Sequence, residues 1–333
     1  MSDYKNITLD KGLYIGKGFS YNLEQLDPSE NYKGTSLEGL DAFARQLKRF
    51  DIKISGNNCD VIDKFFSSLQ TAALFPEFVV RSVENGIDSS ELLSAISAVR
   101  TKIDGLDYRG IVTQLEDLTN QTQVMEGIAI PEVNISLSNN PVELKKYGRM
   151  LVASYEALRF QKIGVFSIAL RQIGEFIAHQ QLGQAINVLA NGNNGNDTCE
   201  TITVEGDLAY SDLINLWNKF GQYKMTTILV NPSVLPVLLN MAEFRDAAAG
   251  LNFHATGKLI TPFGAQIIKS DYIPENAMLA FDKNAALETV QSGDVIVDTD
   301  KLIDRQLERV AISSTCGFNR ITKDAVKSLS FGS

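Results

Sequence analysis

Apolar and polar positions recur with different periods along the chain, and the changes of period mark out its elements. Residues 1–35 are mostly polar, with turn signals at Gly16-Lys17-Gly18 and Asp27-Pro28-Ser29-Glu30. This pattern predicts an extended arm with little packing of its own. From Leu40, the residues Leu40, Phe43, Leu47 and Phe50 follow helical spacing, with Arg45, Lys48 and Arg49 among the other positions. A second short helix is expected over Val61–Thr71. Leu74 to Val80 reads as extended, because Pro76 biases its predecessor away from the helical region. A further helix should open near Asp88-Ser89-Ser90-Glu91, where Asp88 and Glu91 have capping-box spacing.

Residues 105 to 148 change character. Val133, Ile135 and Leu137 alternate with polar partners, Ser138-Asn139-Asn140-Pro141 breaks the chain, and Val142 and Leu144 resume the alternation. The pattern predicts a two-stranded excursion with its turn at that break, which needs a neighbouring surface because an isolated ribbon is marginal in water. From Gly164 to Asn191 the spacing is helical, with Ile168, Ile173, Phe176, Ile177, Ile186 and Leu189 forming a wide apolar stripe that Gly192 ends. Roughly 27 residues at 1.5 Å rise predict a rod of about 40 Å. An alternating α/β region follows. Ser211 is placed to cap a helix through Lys219, Thr226–Val230 reads as a buried strand, and Pro232 starts a short helix with Leu235, Leu238 and Leu239. Short strands are expected at Lys258–Ile260, Ala265–Ile268, Met278–Phe281 and Val295–Val297, then a long β-rich segment over Arg305–Cys316. No repeat of 20–50 residues is visible.

Composition adds limits to this picture. The 333 residues are 44% hydrophobic and 21% charged, as in globular chains, and can bury a substantial core. A formal charge of -9 disfavours a dedicated nucleic-acid binder but leaves room for a container of nucleic acid. Cys59, Cys199 and Cys316 are odd in number and widely spaced, so they read as free thiols rather than a zinc knuckle or disulfide framework. Residues 1–10 lack a basic segment followed by an apolar one, so no secretory signal is expected, and no apolar run approaches the ~20 residues of a membrane span.

The candidate chemistry is sparse. His179 lies inside the long helical stretch and reads as a solvated or packed residue. His254 has no Cys, Asp or Glu within three residues, which argues against a metal role. Gly16-Lys17-Gly18 lacks the third glycine and preceding strand of a dinucleotide loop, and no GxxxxGK[ST] occurs. Asp298-Thr299-Asp300 with Asp304 lacks the glycine and distal glutamate of a calcium loop and reads as a solvated strand end. No catalytic, cofactor-binding or metal-binding residue is assigned.

The order of the pieces is informative: polar arm, β-excursion, long helix, α/β subdomain, returning strand. The run from Lys145 through Arg149 and Ser154-Tyr155-Glu156-Ala157-Leu158 resembles the passage from extended loop to spine helix in tailed-phage major capsid proteins of the Hong Kong 97 type. Ile228-Leu229-Val230-Asn231-Pro232, and Gly257-Lys258-Leu259-Ile260 with Pro262-Phe263-Gly264-Ala265, are similar to that family's axial domain. Arg305 to Ala311 with Gly317, Arg320 and Ala325 is similar to its last peripheral-domain strand. The resemblance covers roughly residues 74–333.

It implies an α+β Hong Kong 97-type capsid fold with an N-terminal arm, an extended β-loop, a peripheral domain with a long spine helix, and an axial domain. The implied boundaries are 1–73 for the arm and short helices, 74–104 for the start of the peripheral domain and 105–148 for the extended loop. They continue with 149–204 for the peripheral domain and spine helix, 205–300 for the axial domain and 301–333 for the return strand. The implied function is structural rather than enzymatic: self-assembly into pentamers and hexamers of an icosahedral phage head enclosing double-stranded DNA without sequence-specific binding. The implied partners are further copies of the chain, a scaffolding protein, a portal and a candidate decoration protein, with no membrane. The implied locations are the virion and, before assembly, a reducing bacterial cytoplasm. Some members join a loop lysine to a neighbour's asparagine with an acidic residue assisting. Lys145 and Lys146 lie near the loop and Asn319 in the last segment, but surface charge and a turn residue are the default reading. An encapsulin-like nanocompartment shell is one alternative. An α/β enzyme on 205–300 is another, and it would need a nucleophile elbow or phosphate loop.

Overall fold

The computed structural model describes residues 5, 7–14, 18–90, 92–113, 126, 135–245 and 259–332. The helices used below are α1 (Phe19–Leu26), α2 (Ala42–Arg49), α3 (Leu69–Ala72), α4 (Phe75–Ser89) and α5 (Leu92–Ile96). They continue with α6 (Tyr155–Phe160), α7 (Ile163–Asn191), α8 (Tyr210–Asn218) and α9 (Leu235–Asn240). The strands are β1 (Val99–Ile103), β2 (Ile111–Thr113), β3 (Ile135–Leu137), β4 (Lys145–Ser154), β5 (Glu200–Val204) and β6 (Thr227–Val230). After them come β7 (Gln266–Lys269), β8 (Ala277–Phe281), β9 (Leu287–Leu302), β10 (Leu307–Arg320) and β11 (Val326–Phe331). They form a four-stranded sheet in the order β1-β9-β10-β4, a five-stranded sheet in the order β5-β11-β8-β6-β7, and the two-stranded ribbon β2-β3.

Two compact units are drawn from separated parts of the chain. The first takes residues 1–91, 146–179 and 294–314; the second takes 92–145, 180–293 and 315–333. In the first, Phe65 stands 5.7 Å from Phe75 and 5.3 Å from Phe78, and Phe75 lies 6.1 Å from Phe166. Around this aromatic centre pack Phe43 and Leu47 of α2, Val79 and Val83 of α4, Ile163, Leu170 and Ile177 of α7, and Val310 and Ile312 of β10. Helices α4 and α7 touch backbone to backbone. A Cβ on Gly174 would sit 2.2 Å from the Val83 oxygen, and one on Gly86 would sit 2.2 Å from the Arg171 oxygen.

Several expectations for this unit need correction. The segment over 1–35 is not an unpacked arm in its described part: it carries α1, whose Phe19 and Leu23 are buried in the shared core. Arg45, placed by the sequence among the positions outside the apolar spacing of α2, is 1% exposed. Its Nε donates to Asp27 Oδ2 at 3.0 Å, and its guanidinium lies 4.4 Å from the Tyr32 ring centre, whose hydroxyl donates to Asp27 at 2.8 Å. One buried charge fully paired in this way ties the turn after α1 to α2. Residues 75–80 are helical, because Pro76 falls in the first turn of α4, where no backbone donor is required. A short helix, α5, does open beside Asp88–Glu91, at Leu92, but Asp88 itself lies in the last turn of α4 rather than at the N-cap of α5. Val61–Thr71 splits into a 3-10 turn at Ile62–Phe66 and α3, which Ser68 caps by accepting from the Thr71 N–H at 3.2 Å.

Helix α7 runs 29 residues and stops where the sequence indicates, with Gly192 at φ +80. The side it buries in the first unit is the 163, 166, 170, 177 line, whereas Ile168 is 53% and Phe176 37% exposed.

The second unit is organised by the five-stranded sheet. Thr227–Val230 is buried at every position because strands flank it on both edges and side chains cover both faces: β8 is antiparallel to it and β7 parallel. Leu213 and Leu216 of α8 and Leu238 of α9 complete its core with Met278, Ala280 and Leu329. The cap of α8 comes from Asp212, which accepts from the Ala209 N–H at 2.9 Å, rather than from Ser211. The strands expected over Ala265–Ile268 and Met278–Phe281 are present as Gln266–Lys269 and Ala277–Phe281; of the expected Lys258–Ile260, Lys258 lies outside the described residues and Ile260 makes only a single bridge to Gln266.

The excursion is present with a different pairing. Strand β3 runs antiparallel to β2, with Ile111 opposite Leu137 and Thr113 opposite Ile135. The Ser138–Pro141 break is therefore not the tip of the ribbon. It lies at the root, where the Ser138 N–H donates to the Gly110 oxygen and the Val142 N–H to the Tyr108 oxygen, each at 2.8 Å. Val142 itself is 6% exposed.

Candidate assembly surfaces

Two surfaces stand out for apolar side chains that their own unit does not cover. On the ribbon, Ile111, Ile135 and Leu137 are 54%, 68% and 65% exposed, so three of its paired residues present β-branched or aliphatic groups to solvent. On the first unit, β4 alternates between Leu151 and Ala153, packed on the core, and Met150 and Val152, 56% and 50% exposed. On β9, Ile296 is likewise 54% exposed between Val295 and Val297, which both belong to the core cluster. Strand β10 lies between β9 and β4 and turns Val310 and Ile312 inward. The opposite face of this sheet therefore exposes Met150, Val152 and Ile296, and at Gly148 the neighbouring backbone leaves no room for a side chain, since a Cβ there would meet the Ile312 oxygen at 2.6 Å.

The ribbon root is held by a buried polar chain. Glu288, 8% exposed, accepts at Oε1 from the Tyr108 hydroxyl and the Thr101 hydroxyl, both at 2.6 Å, and at Oε2 from Asn319 Nδ2 at 3.0 Å. Asn193 Nδ2 donates to Asn319 Oδ1 at 2.7 Å, and Asn193 Oδ1 accepts from the Arg320 N–H at 2.6 Å. The Arg320 guanidinium donates to the Leu189 oxygen at 3.2 Å and to the Asp197 oxygen at 2.7 Å, so it satisfies a carbonyl at the end of α7 that the helix leaves open. Arg320 and Lys323 both pair with the Asp197 carboxylate and hold its pKa below the usual range, the Lys323 hydrogen bond foremost.

The residues singled out from the sequence are scattered. Lys145 Nζ lies 3.2 Å from Glu143 Oε2 and 3.2 Å from Gln184 Oε1, and Lys146 is exposed. Asn319 is 3% exposed, with its amide engaged on both sides, so it is neither a turn residue nor open to a lysine in this conformation. His179 is exposed on α7; His254, Gly16 and Lys17 lie outside the described residues. Asp300 pairs with Arg309 at 2.6 Å across the β9–β10 hairpin. Among the described residues, no group of three or more His, Cys, Asp or Glu is placed to hold a metal ion, and no helix is long and apolar enough to cross a membrane. All three cysteines are free; burial pushes the Cys316 thiol up to about 12 and raises that of Cys199. In the second unit a cleft of about 400 Å³ is walled by Trp217, Tyr223, Lys224 and Phe263, with Trp217 stacked on Phe263 at 6.2 Å. Among the described residues, its walls bring no histidine, carboxylate or thiol together.

Sequence reasoning missed Glu288, Tyr108 and Asn193. Each is an ordinary polar residue in its local context, and only the pairing of β1 with β9 brings Thr101 and Glu288 near each other.

Comparison with known proteins places these surfaces in context. A family described as phage capsid protein matches residues 139–324. A chain from a solved structure of Gordonia phage Cozz is similar in fold, at TM-score 0.53 and 13% identity over 73% of this chain and 87% of that one. So is the capsid of a native GTA particle, at TM-score 0.53 and 14% identity over 73% and 91% of the two chains. An encapsulin complex from Synechococcus elongatus PCC 7942 reaches TM-score 0.51 and 16% identity over 73% and 88%. No curated protein matches the sequence.

Proposed function

The chain belongs to the phage capsid protein family and is a structural major capsid protein of the Hong Kong 97-type fold, and from that premise we propose that its copies close into an icosahedral head of pentamers and hexamers around double-stranded DNA. The observation that carries the proposal is the ribbon. Its Ile111, Ile135 and Leu137 have no cover in their own unit, and such a ribbon gains stability only by lying on another surface. In a closed shell that surface belongs to a neighbouring copy, and the strip of Met150, Val152 and Ile296 is a complementary apolar partner for it.

The net charge of -9 suits a wall that encloses DNA without adhering to it. On this reading no residue is catalytic and none holds a cofactor. The sequence boundaries then describe an extended loop over 105–148, peripheral segments over 74–104, 149–204 and 301–333, and an axial domain over 205–300. A separate scaffolding protein, a portal and a decoration protein are the partners to seek, and synthesis takes place in the bacterial cytoplasm.

The encapsulin reading keeps the shell and changes the contents, and the fold similarity to the Synechococcus encapsulin supports retaining it. Electron microscopy of particles from cells expressing the chain beside its neighbouring genes tests both. Closed shells with nuclease-protected DNA are the expected result. Shells with a protein cargo and no DNA would favour the encapsulin reading, and a chain that stays monomeric with every gene product of its locus would overturn both.

A further inference from the structure

We propose that Glu288 and Asn319 are positioning residues for assembly: their hydrogen-bonded pair fixes the direction in which the ribbon leaves the subunit, and that direction selects the curvature of the shell. The inference rests on the capsid reading and adds to it the residues that set particle size.

Three observations meet at this point. Glu288 is buried and accepts three donors, one of them the hydroxyl of Tyr108, whose own carbonyl accepts from the Val142 N–H at the ribbon root. Gly110, the next root residue to make a cross-ribbon bond, lies against the Asn319 amide so closely that a Cβ would fall 2.1 Å from Nδ2. On its far side Asn319 is tied through Asn193 and Arg320 to the Leu189 carbonyl at the end of α7. The root of the ribbon and the end of the long helix are thus held in one network, every step of which is at 3.2 Å or less.

Exposure changes abruptly beyond that root. Tyr108 and Val142 are anchored, while Ile111, Ile135 and Leu137 stand in solvent. The angle that the Glu288–Asn319 pair imposes at the base is carried outward through the paired residues 111–113 and 135–137. A small rotation at the base becomes a displacement of the contact that each copy makes with the next, and a shell closes at a radius set by that contact.

The pair has a donor order that can be inverted. Glu288→Gln removes the charge and one of the two acceptor oxygens, so Asn319 and the two hydroxyls compete for the single oxygen that remains. In the double variant Glu288→Gln with Asn319→Asp, the amide at 288 would donate to the carboxylate at 319, which would still accept from Asn193. Tyr108→Phe removes one hydroxyl and nothing else.

Two measurements test the proposal. In the disassembled subunit, hydrogen exchange at the Ser138 and Val142 amides should quicken about ten-fold or more in Glu288→Gln, less in Tyr108→Phe, and return toward the parent rate in the double variant. In particles, both single variants should give a broadened or shifted diameter distribution by electron microscopy, and the double variant should restore a single size. Unchanged exchange at both amides in folded Tyr108→Phe and Glu288→Gln would overturn the clamp. Altered diameters that the double variant fails to correct, or unaltered diameters despite quickened exchange, would overturn its role in curvature. If Glu288→Gln is insoluble, recovery of soluble subunits in the double variant supports the pair, and failure to recover counts against it. If the parent chain forms no shells at all, the capsid reading fails while the exchange measurements still decide the clamp.

Discussion

Replacing Gly174 or Gly86 by alanine asks whether α4 and α7 touch through their backbones. A Cβ on Gly174 would lie 2.2 Å from the Val83 oxygen and 2.9 Å from the Ile87 nitrogen, against 3.4 Å for the start of ordinary contact. The obstructing atoms are backbone, so no rotamer change relieves them, and the helices must separate locally by about 1.2 Å. Separation at a packed crossing costs about 1–3 kcal/mol, as overpacking does elsewhere. Alanine in a helix interior recovers about 1 kcal/mol of intrinsic propensity relative to glycine. The overpacking wins if the contact is real, and each variant should lose up to about 2 kcal/mol. The double variant should lose less than the sum, since the first separation makes room for the second methyl. Gly164→Ala in the same helix is the control, because its Cβ would meet only the Cys59 sulfur at 3.3 Å, and it should be neutral or stabilising. Denaturant unfolding of disassembled subunits measures all four. If Gly174→Ala and Gly86→Ala are each more stable than the parent by about 1 kcal/mol, propensity alone is operating and the close crossing is wrong.

Three further outcomes follow from burial and charge. Phe176→Ala should cost under about 1.5 kcal/mol, because the ring is 37% exposed beneath Arg149 at 3.8 Å, whereas Ile177→Ala on the buried side should cost about 2–5 kcal/mol; equal losses by denaturant unfolding would reverse the orientation of the helix. Asp27→Ala, which leaves the buried Arg45 guanidinium only the more distant Glu24 carboxylate at 3.6 Å, should cost up to about 3 kcal/mol and expose α1 to limited proteolysis, and an unaltered melting temperature would refute the buried pair. Glu308 is 5% exposed, and burial raises its pKa while Lys301 opposes the shift. A raised folded-state pKa means that the stability contributed by the protonated form is complete below the unfolded glutamate value and is lost as pH rises through the folded one. Glu308→Gln should therefore raise the melting temperature at pH 8, with the gain vanishing toward pH 4; a loss of equal size at both would contradict it.

The parts legible in the sequence are those where local pattern and tertiary environment agree. Helix α7 and its stop at Gly192 are an example, because twenty-nine residues of one period outweigh any single contact and glycine is free to adopt φ +80. The buried β6 and the strands beside it are another. What failed to show was decided by distant partners. Phe19 and Leu23 are too few to announce a helix in a polar segment, yet the core made by Phe75, Phe166 and Ile312 receives them. Arg45 has a surface residue's signature until Asp27 and Tyr32 close around it. The strand pairing of the ribbon departs from the local pattern because β2 and β3 find each other across 21 intervening residues, while the nearer Ser138–Pro141 break offers a local turn. The network at Glu288 joins residues from five separate segments, a kind of constellation that no spacing rule addresses.

The core of the first unit also has a consequence for the order of synthesis. It joins Phe19 and Leu23 to Phe75, then to Phe166 and Leu170, and finally to Val310 and Ile312, roughly 290 residues after the first of them. A chain emerging from the ribosome can form α7 as it appears, but it cannot close this core until the β9–β10 hairpin has been made. Contacts of such long range form late and slowly. A prematurely terminated chain would therefore present an unfinished core rather than a finished building block, and translation itself would withhold defective copies from a lattice that tolerates few of them.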